Sequence, residues 1–285
     1  MTIKRYYQFA GLEFLIEMPT EIAYQDERYL AAFREKTAED PHRFWFEHVK
    51  ELMEPSGPWS VKQPNFQLYF LPDGHVRYIG GEDAYIRAEH IGKQHSIQVK
   101  KNPYTNMIGA KTVLESMEIE HLIARNDGFL FHCSYIDHNG KAILFTAPSE
   151  TGKSTQAELW HQYRGAEIIN GDRAAVRLVD GVLMAEGIPF AGSSQYCKNR
   201  SLPIEAIVYL GQAPETSIRK MRGYEAFSKI WEGVSVNTWD KEDMERVSLV
   251  VQKAAEQAPI FYLPCTPDES AVIALEEALR KLVKA

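Results

Sequence analysis

The sequence predicts an α/β protein with a β-rich N-terminal part, and three observations carry that prediction. Up to about residue 104 the chain runs through short β-propensity segments separated by turn residues. Beyond it, apolar runs of strand length alternate with segments of helical period. Over 141–163 a strand pattern, a glycine-lysine loop and a helix pattern follow one another without a gap. Two domains are expected, 1–104 and 105–285.

In the first part, Phe9, Leu12, Phe14 and Ile16 form an apolar segment closed by Pro19. Helices are expected over 27–36 and 44–52. The run 65–71, the tripeptide Pro72-Asp73-Gly74 and the run 75–79 make a hairpin, and Gly80-Gly81 turns the chain again. Strands over 84–88 and 96–100 complete an antiparallel meander that Asn102-Pro103 ends. In the second part, Ile108, Val113, Met117, Ile119 and Leu122 give 107–125 a helical stripe. Strands over 129–136 and 142–146, a helix over 154–163 and a strand over 166–169 follow, in a mixed or largely parallel sheet. Further strands are expected over 174–178, 182–185, 206–210 and 260–263, and helices over 223–232, 241–258 and 268–284.

The chain has 285 residues, 45% of them hydrophobic, and 32 basic against 39 acidic side chains give a net charge of −7. That composition supports a buried core and excludes a disordered chain. The acidic balance weighs against a nucleic-acid partner. No apolar run approaches the roughly 18 residues that span a bilayer, so no membrane partner is expected. Residues 1–19 are basic and then apolar, but Glu13 and Glu17 interrupt the run, which reads as a strand. Cys133, Cys197 and Cys265 are odd in number and widely spaced, which suits neither a disulfide framework nor a zinc site and points to a cytoplasmic location.

The chemistry concentrates in Ala147-Pro-Ser-Glu-Thr-Gly-Lys-Ser-Thr155. It follows the phosphate-loop pattern G-x-x-x-x-G-K-[ST], with Ala147 at the first glycine position. Backbone N–H groups over Ser149, Glu150, Thr151 and Gly152 would face a phosphate at the positive end of the following helix. Lys153 would reach the β- and γ-phosphates, Ser154 would ligate Mg²⁺, and Thr155 would lie near the α-phosphate. Phosphoryl transfer also needs a carboxylate, and Asn170-Gly-Asp-Arg173 delivers Asp172 beyond an apolar strand. Asp172 is either a metal ligand or base, or the cap of a turn after Gly171. His132 ends the apolar run 128–131 and is the third candidate. The other histidines are read as surface or packing residues.

The order Phe131-His132-Cys-Ser, the loop 147–155 and Asn170-Gly-Asp-Arg173 resembles the HPr kinase/phosphorylase-like family, whose phosphate-loop core is shared with phosphoenolpyruvate carboxykinase. The segments Gly187-Ile-Pro-Phe-Ala-Gly192 and 202–210 are similar to the downstream part of shorter members. The resemblance covers roughly 105–265 and implies a mixed-sheet P-loop kinase core of that type. It implies ATP and Mg²⁺ held by Lys153, Ser154 and Thr155, with Asp172 polarising an acceptor hydroxyl or holding the metal and His132 beside the transferring phosphate. Gly171 stands where the family's first aspartate is expected, and no segment supporting dephosphorylation is found, which weighs against phosphorylase activity. The expected function is γ-phosphate transfer to a hydroxyl of a peptide, protein or small molecule, with residues 1–104 serving acceptor recognition; a homo-oligomer is compatible with it. A non-catalytic ATP-binding regulatory module is the alternative. The absence of D-x-x-G and N-K-x-D after Lys153 weighs against a GTPase, and the chain length against a carboxykinase.

Overall fold

The computed structural model describes residues 2–20, 28–101, 110–190, 192 and 195–283. The chain divides into two compact units, Met1–Ile119 and Glu120–Ala285. The change of pattern expected near residue 104 falls within 102–109, outside the described residues.

The first unit contains β1 (Thr2–Phe9), β2 (Leu12–Pro19), α1 (Arg28–Ala31), β3 (Arg34–Glu35), β4 (His42–Val49), β5 (Val61–Lys62), β6 (Phe66–Leu71), β7 (Gly74–Ile79), β8 (Ile86–Ile91), β9 (Gln94–Lys100) and α2 (Ala110–Ser116). Among the described residues its nine strands form one sheet in the order β3-β1-β2-β4-β9-β8-β7-β6-β5. From β5 to β9 every neighbour is antiparallel, the meander anticipated from the turn residues. β4 lies parallel to both β2 and β9 and makes the sheet mixed.

Two helix expectations fail here. Residues 44–52 do not form a helix: most of the segment is β4, with Phe44 and Phe46 buried and Trp45 44% exposed between them. That is the period of two of a strand. Of the helix expected over 27–36, only Arg28–Ala31 is helical; β3 follows, and 21–27 lie outside the described residues. The single helix expected over 107–125 is two, α2 and α3 (Ile119–Ala124), because Glu118 adopts φ +51° and breaks the run. Residues 107–109 are outside the described set.

The second unit continues with β10 (Gly128–His138), β11 (Lys141–Thr146), α4 (Lys153–Arg164), β12 (Glu167–Asn170), β13 (Arg173–Val179), β14 (Val182–Glu186), β15 (Ser201–Gln212), β16 (Arg219–Met221), α5 (Gly223–Trp231), β17 (Val234–Ser235), α6 (Lys241–Gln257), β18 (Ile260–Cys265) and α7 (Glu269–Val283). The strand path is β11-β10-β13-β14-β15-β18-β16, and an additional β11–β15 pairing closes five of these strands into a ring. β11, β15 and β18 run parallel, while the remaining pairs are antiparallel. The sheet is thus mixed but not largely parallel. One apolar cluster joins Phe145, Trp160, Val208, Val272 and Leu275 on the side of α4 and α7. A second joins Phe131, Tyr135, Leu144, Ile230, Val247 and Val251 on the side of α5 and α6. Strands covered on both faces explain the near-continuous apolar runs of β11 and β15. Among the described residues no helix is long and apolar enough to cross a membrane.

Candidate active site

The site forms where β10 changes partners. On one edge, its residues 133–138 pair with β11, which ends at Thr146 opposite Cys133, and Leu130 and Phe131 pair with β17. On the other edge, Tyr135–Asp137 pair with β12 and Gly128–His132 with β13. Gly171 and Asp172 fill the break between β12 and β13. The Cys133 N–H donates to the Asp172 carbonyl at 3.0 Å, and the Ser134 hydroxyl donates to the Gly171 carbonyl at 3.2 Å. The His132 N–H donates to the Gly233 carbonyl at 2.8 Å, and the Thr146 hydroxyl to the His132 carbonyl at 3.0 Å. The backbone around His132 and Asp172 is therefore fixed from three directions.

Of the predicted residues, the structure brings His132, Asp172 and Arg173 together. His132 Nε2 lies 3.6 Å from Asp172 Oδ1, and Arg173 Nε lies 3.3 Å from Asp172 Oδ2. His132 and Arg173 are direct cross-strand neighbours. The loop 147–152 leads from β11 into α4. Ala147 has no positive φ, whereas Glu150 (+64°) and Gly152 (+111°) do. An alanine therefore fits the first glycine position, while left-handed Glu150 costs roughly 1–3 kcal/mol. Ser149 and Glu150 form an exposed lip, and the Thr151 N–H donates to the Pro148 carbonyl at 3.4 Å. Lys153 is buried, and its ammonium donates to the Ala147 and Pro148 carbonyls at 3.2 and 3.4 Å. Ser154 and Thr155 stand exposed in the first turn of α4. The Ser154 hydroxyl donates to the Gly171 carbonyl at 3.4 Å and so links the loop to the Asp172 turn.

Burial and the Lys153 charge, with Arg173 adding to them, push the His132 imidazole below its ordinary range, against the pull of Asp172. His132 is therefore neutral near pH 7. Burial also lowers Lys153, opposed by Cys133 and Asp172. Ser154 and Asp172 offer only oxygen donors, a set that suits Mg²⁺.

Two features escaped sequence reading. Asn170 is fully buried; its Oδ1 accepts from the Asp172 and Arg173 N–H groups at 2.9 and 3.0 Å, and its Nδ2 donates to the Ile188 and Phe190 carbonyls. The Asn-Gly dipeptide is a turn signal that could have drawn attention to it. Gly192, at φ +53°, lies so close that an added Cβ would sit 2.7 Å from Asp172 Cγ. In addition, a cleft of about 340 Å³ flanks Pro148 and Thr151, with Tyr209, Arg219, Lys229 and Tyr262 in its walls. Lys198 and Arg200 are engaged elsewhere, with Glu167 and Asp137.

No family model and no curated protein matches this chain. Among solved structures, the Hpr(Ser) kinase/phosphatase from Coxiella burnetii aligns over 55% of this chain and 99% of its own, at 12% identity and a TM-score of 0.34.

Proposed function

We propose that the protein is an ATP-dependent kinase that transfers the γ-phosphate to a hydroxyl of a peptide, protein or small molecule. One observation carries the reading: the Ser154 hydroxyl meets the Gly171 carbonyl, so the glycine-lysine loop and the Asp172–His132–Arg173 group open at the same end of β11. Lys153 and the N–H groups of residues 149–152 bind the phosphates, the ammonium exchanging its two loop carbonyls for phosphate oxygens. Ser154 and Asp172 would hold Mg²⁺, which would supply positive charge beside the transferring phosphate. The acceptor oxygen bonds to the γ-phosphorus as the bond to the β,γ-bridging oxygen breaks; ADP leaves, and the acceptor proton passes to the Asp172 carboxylate. The charge of Arg173, 3.3 Å from Oδ2, holds that carboxylate in place, and neutral His132 stands beside it. Residues 1–104 are assigned to acceptor recognition.

The test is incubation with γ-labelled ATP, Mg²⁺ and serine-containing peptides, with calorimetry alongside. Label is expected on the acceptor hydroxyl, and Asp172→Asn is expected to suppress it. Absence of triphosphate uptake overturns the assignment. One feature favours a second reading: Gly171 leaves the turn with a single carboxylate. ATP binding without transfer to any acceptor, unchanged in Asp172→Asn, would identify a non-catalytic ATP-binding module.

A further inference from the structure

The first unit gathers four of the chain's nine histidines in one place. His75 on β7 lies opposite His90 on β8, and His90 lies opposite His95 on β9, a continuous rung across three strands. The rung continues onto β4 as Phe44, whose ring stacks on His95 at 4.1 Å. Glu118, held at φ +51° after α2, places its carboxylate on the rung. His75, His90, His95 and Glu118 are each no more than 6% exposed.

We propose that His75 Nε2, His90 Nε2 and a carboxylate oxygen of Glu118 form a binding site for a zinc-class divalent cation. One ring nitrogen of each histidine and a carboxylate oxygen of Glu118 all lie within 4.8 Å of one another. His75 Nε2 stands 2.7 Å from Glu118 Oε2, and His90 Nε2 stands 4.0 Å from Glu118 Oε1. Metal bonds of about 2.0–2.2 Å hold neighbouring donors about 3.3–3.5 Å apart, a value between those two separations. Two imidazoles and one carboxylate suit zinc and its neighbours rather than Mg²⁺ or Ca²⁺, which take oxygen.

The surroundings are those of an oriented ligand set. His90 Nδ1 is 2.9 Å from His95 Nδ1, and His95 Nε2 is 3.1 Å from His42 Nδ1. With the proton on His90 Nδ1 donated to His95, the lone pair of His90 Nε2 is directed to the Glu118 side. Arg77 donates to Glu118 Oε1 at 3.0 Å and so fixes the orientation of the carboxylate. Cation binding replaces the His75–Glu118 hydrogen bond by two metal bonds and releases a proton or moves it to Nδ1. An apolar rung would fill the same sheet face without the desolvation that a buried carboxylate incurs.

The test uses the full chain, stripped with a chelator and titrated with Zn²⁺ against a chromophoric competitor, and with Co²⁺ read by visible absorption. One equivalent is expected to bind with the intense d–d bands of a four- or five-coordinate ion. His90→Gln and Glu118→Gln should each weaken uptake by about 100-fold or more. His161→Gln, which alters a histidine bonded to the Ala166 carbonyl, should leave uptake unchanged. Zinc affinity weaker than about 10 μM, or affinity indifferent to the first two variants, overturns the site. Should those variants fail to fold, X-ray absorption of the zinc-loaded wild type decides: two imidazoles in the first shell support the site, and none refutes it.

Discussion

The two polar clusters of this chain use similar residues in opposite settings. In the first unit, His75, His90, His95 and Glu118 are sealed from solvent on a sheet face. In the second unit, His132 and Asp172 keep 34% and 29% of their side-chain surface exposed. Both rest on cross-strand neighbours, His75 with His90 and His132 with Arg173. The sealed cluster is closed to anything the size of a substrate. The open one sits at a strand break, beside a helix N-terminus and a cleft. Solvent access, not residue type, separates the two clusters, and with it the proposed site for a bare cation from the proposed site for a substrate.

The comparison is broken most directly at Lys153. Replacing it by alanine should lower triphosphate affinity and turnover by about 10³-fold, while zinc uptake by the first unit stays as it was; calorimetry with each ligand reads both. Next, Asp172→Asn should reduce transfer by about 10²–10⁴-fold with nucleotide affinity changed only severalfold, a split visible in kcat against KM. A smaller effect is expected where the turn is supported and not itself altered. Asn170→Ala removes four hydrogen bonds from a buried turn. It should cost about 2–3 kcal/mol in urea unfolding and slow transfer about 10–100-fold. The smallest effect concerns thiols. Burial alone pushes Cys197 up to about 12, and burial also raises Cys133 and Cys265. At pH 8 the thiolate fraction of Cys197 is on the order of 10⁻⁴, so native protein should resist iodoacetamide until the pH approaches that of the raised thiol, whereas urea-unfolded protein should label at all three positions.

Much of the second unit was legible because its signals are local. The strand 142–146, the loop and the helix after it adjoin in sequence, and Gly165 closes α4 in a left-handed conformation. The hairpin at Pro72-Asp73-Gly74 was legible for the same reason. β4 was not. Its pairing partners are β2 and β9, far away in sequence, and Phe44-Trp45-Phe46 satisfies a helical and an extended pattern equally until burial distinguishes them. Glu118 hid a break inside an apolar stripe, since a left-handed glutamate leaves no compositional mark. The histidine rung was hidden by strand boundaries. With strands read over 84–88 and 96–100, His90 and His95 fall in the connection; in β8 and β9, Ile91 pairs with Gln94 and brings those histidines face to face. Asn170 was passed over because its side chain acts on main-chain groups, a role that follows from a fold and not from a motif.

The ring of strands in the second unit has a mechanical consequence. β11 is laddered on both edges, to β10 and to β15, so the hoop has no loose end beside the glycine-lysine loop. Peeling β11 away would tear two ladders at once, while Ser149 and Glu150 stand exposed beyond its end. Amide hydrogens of 142–146 should therefore exchange with deuterium only through whole-unit opening, and those of 149 and 150 within seconds.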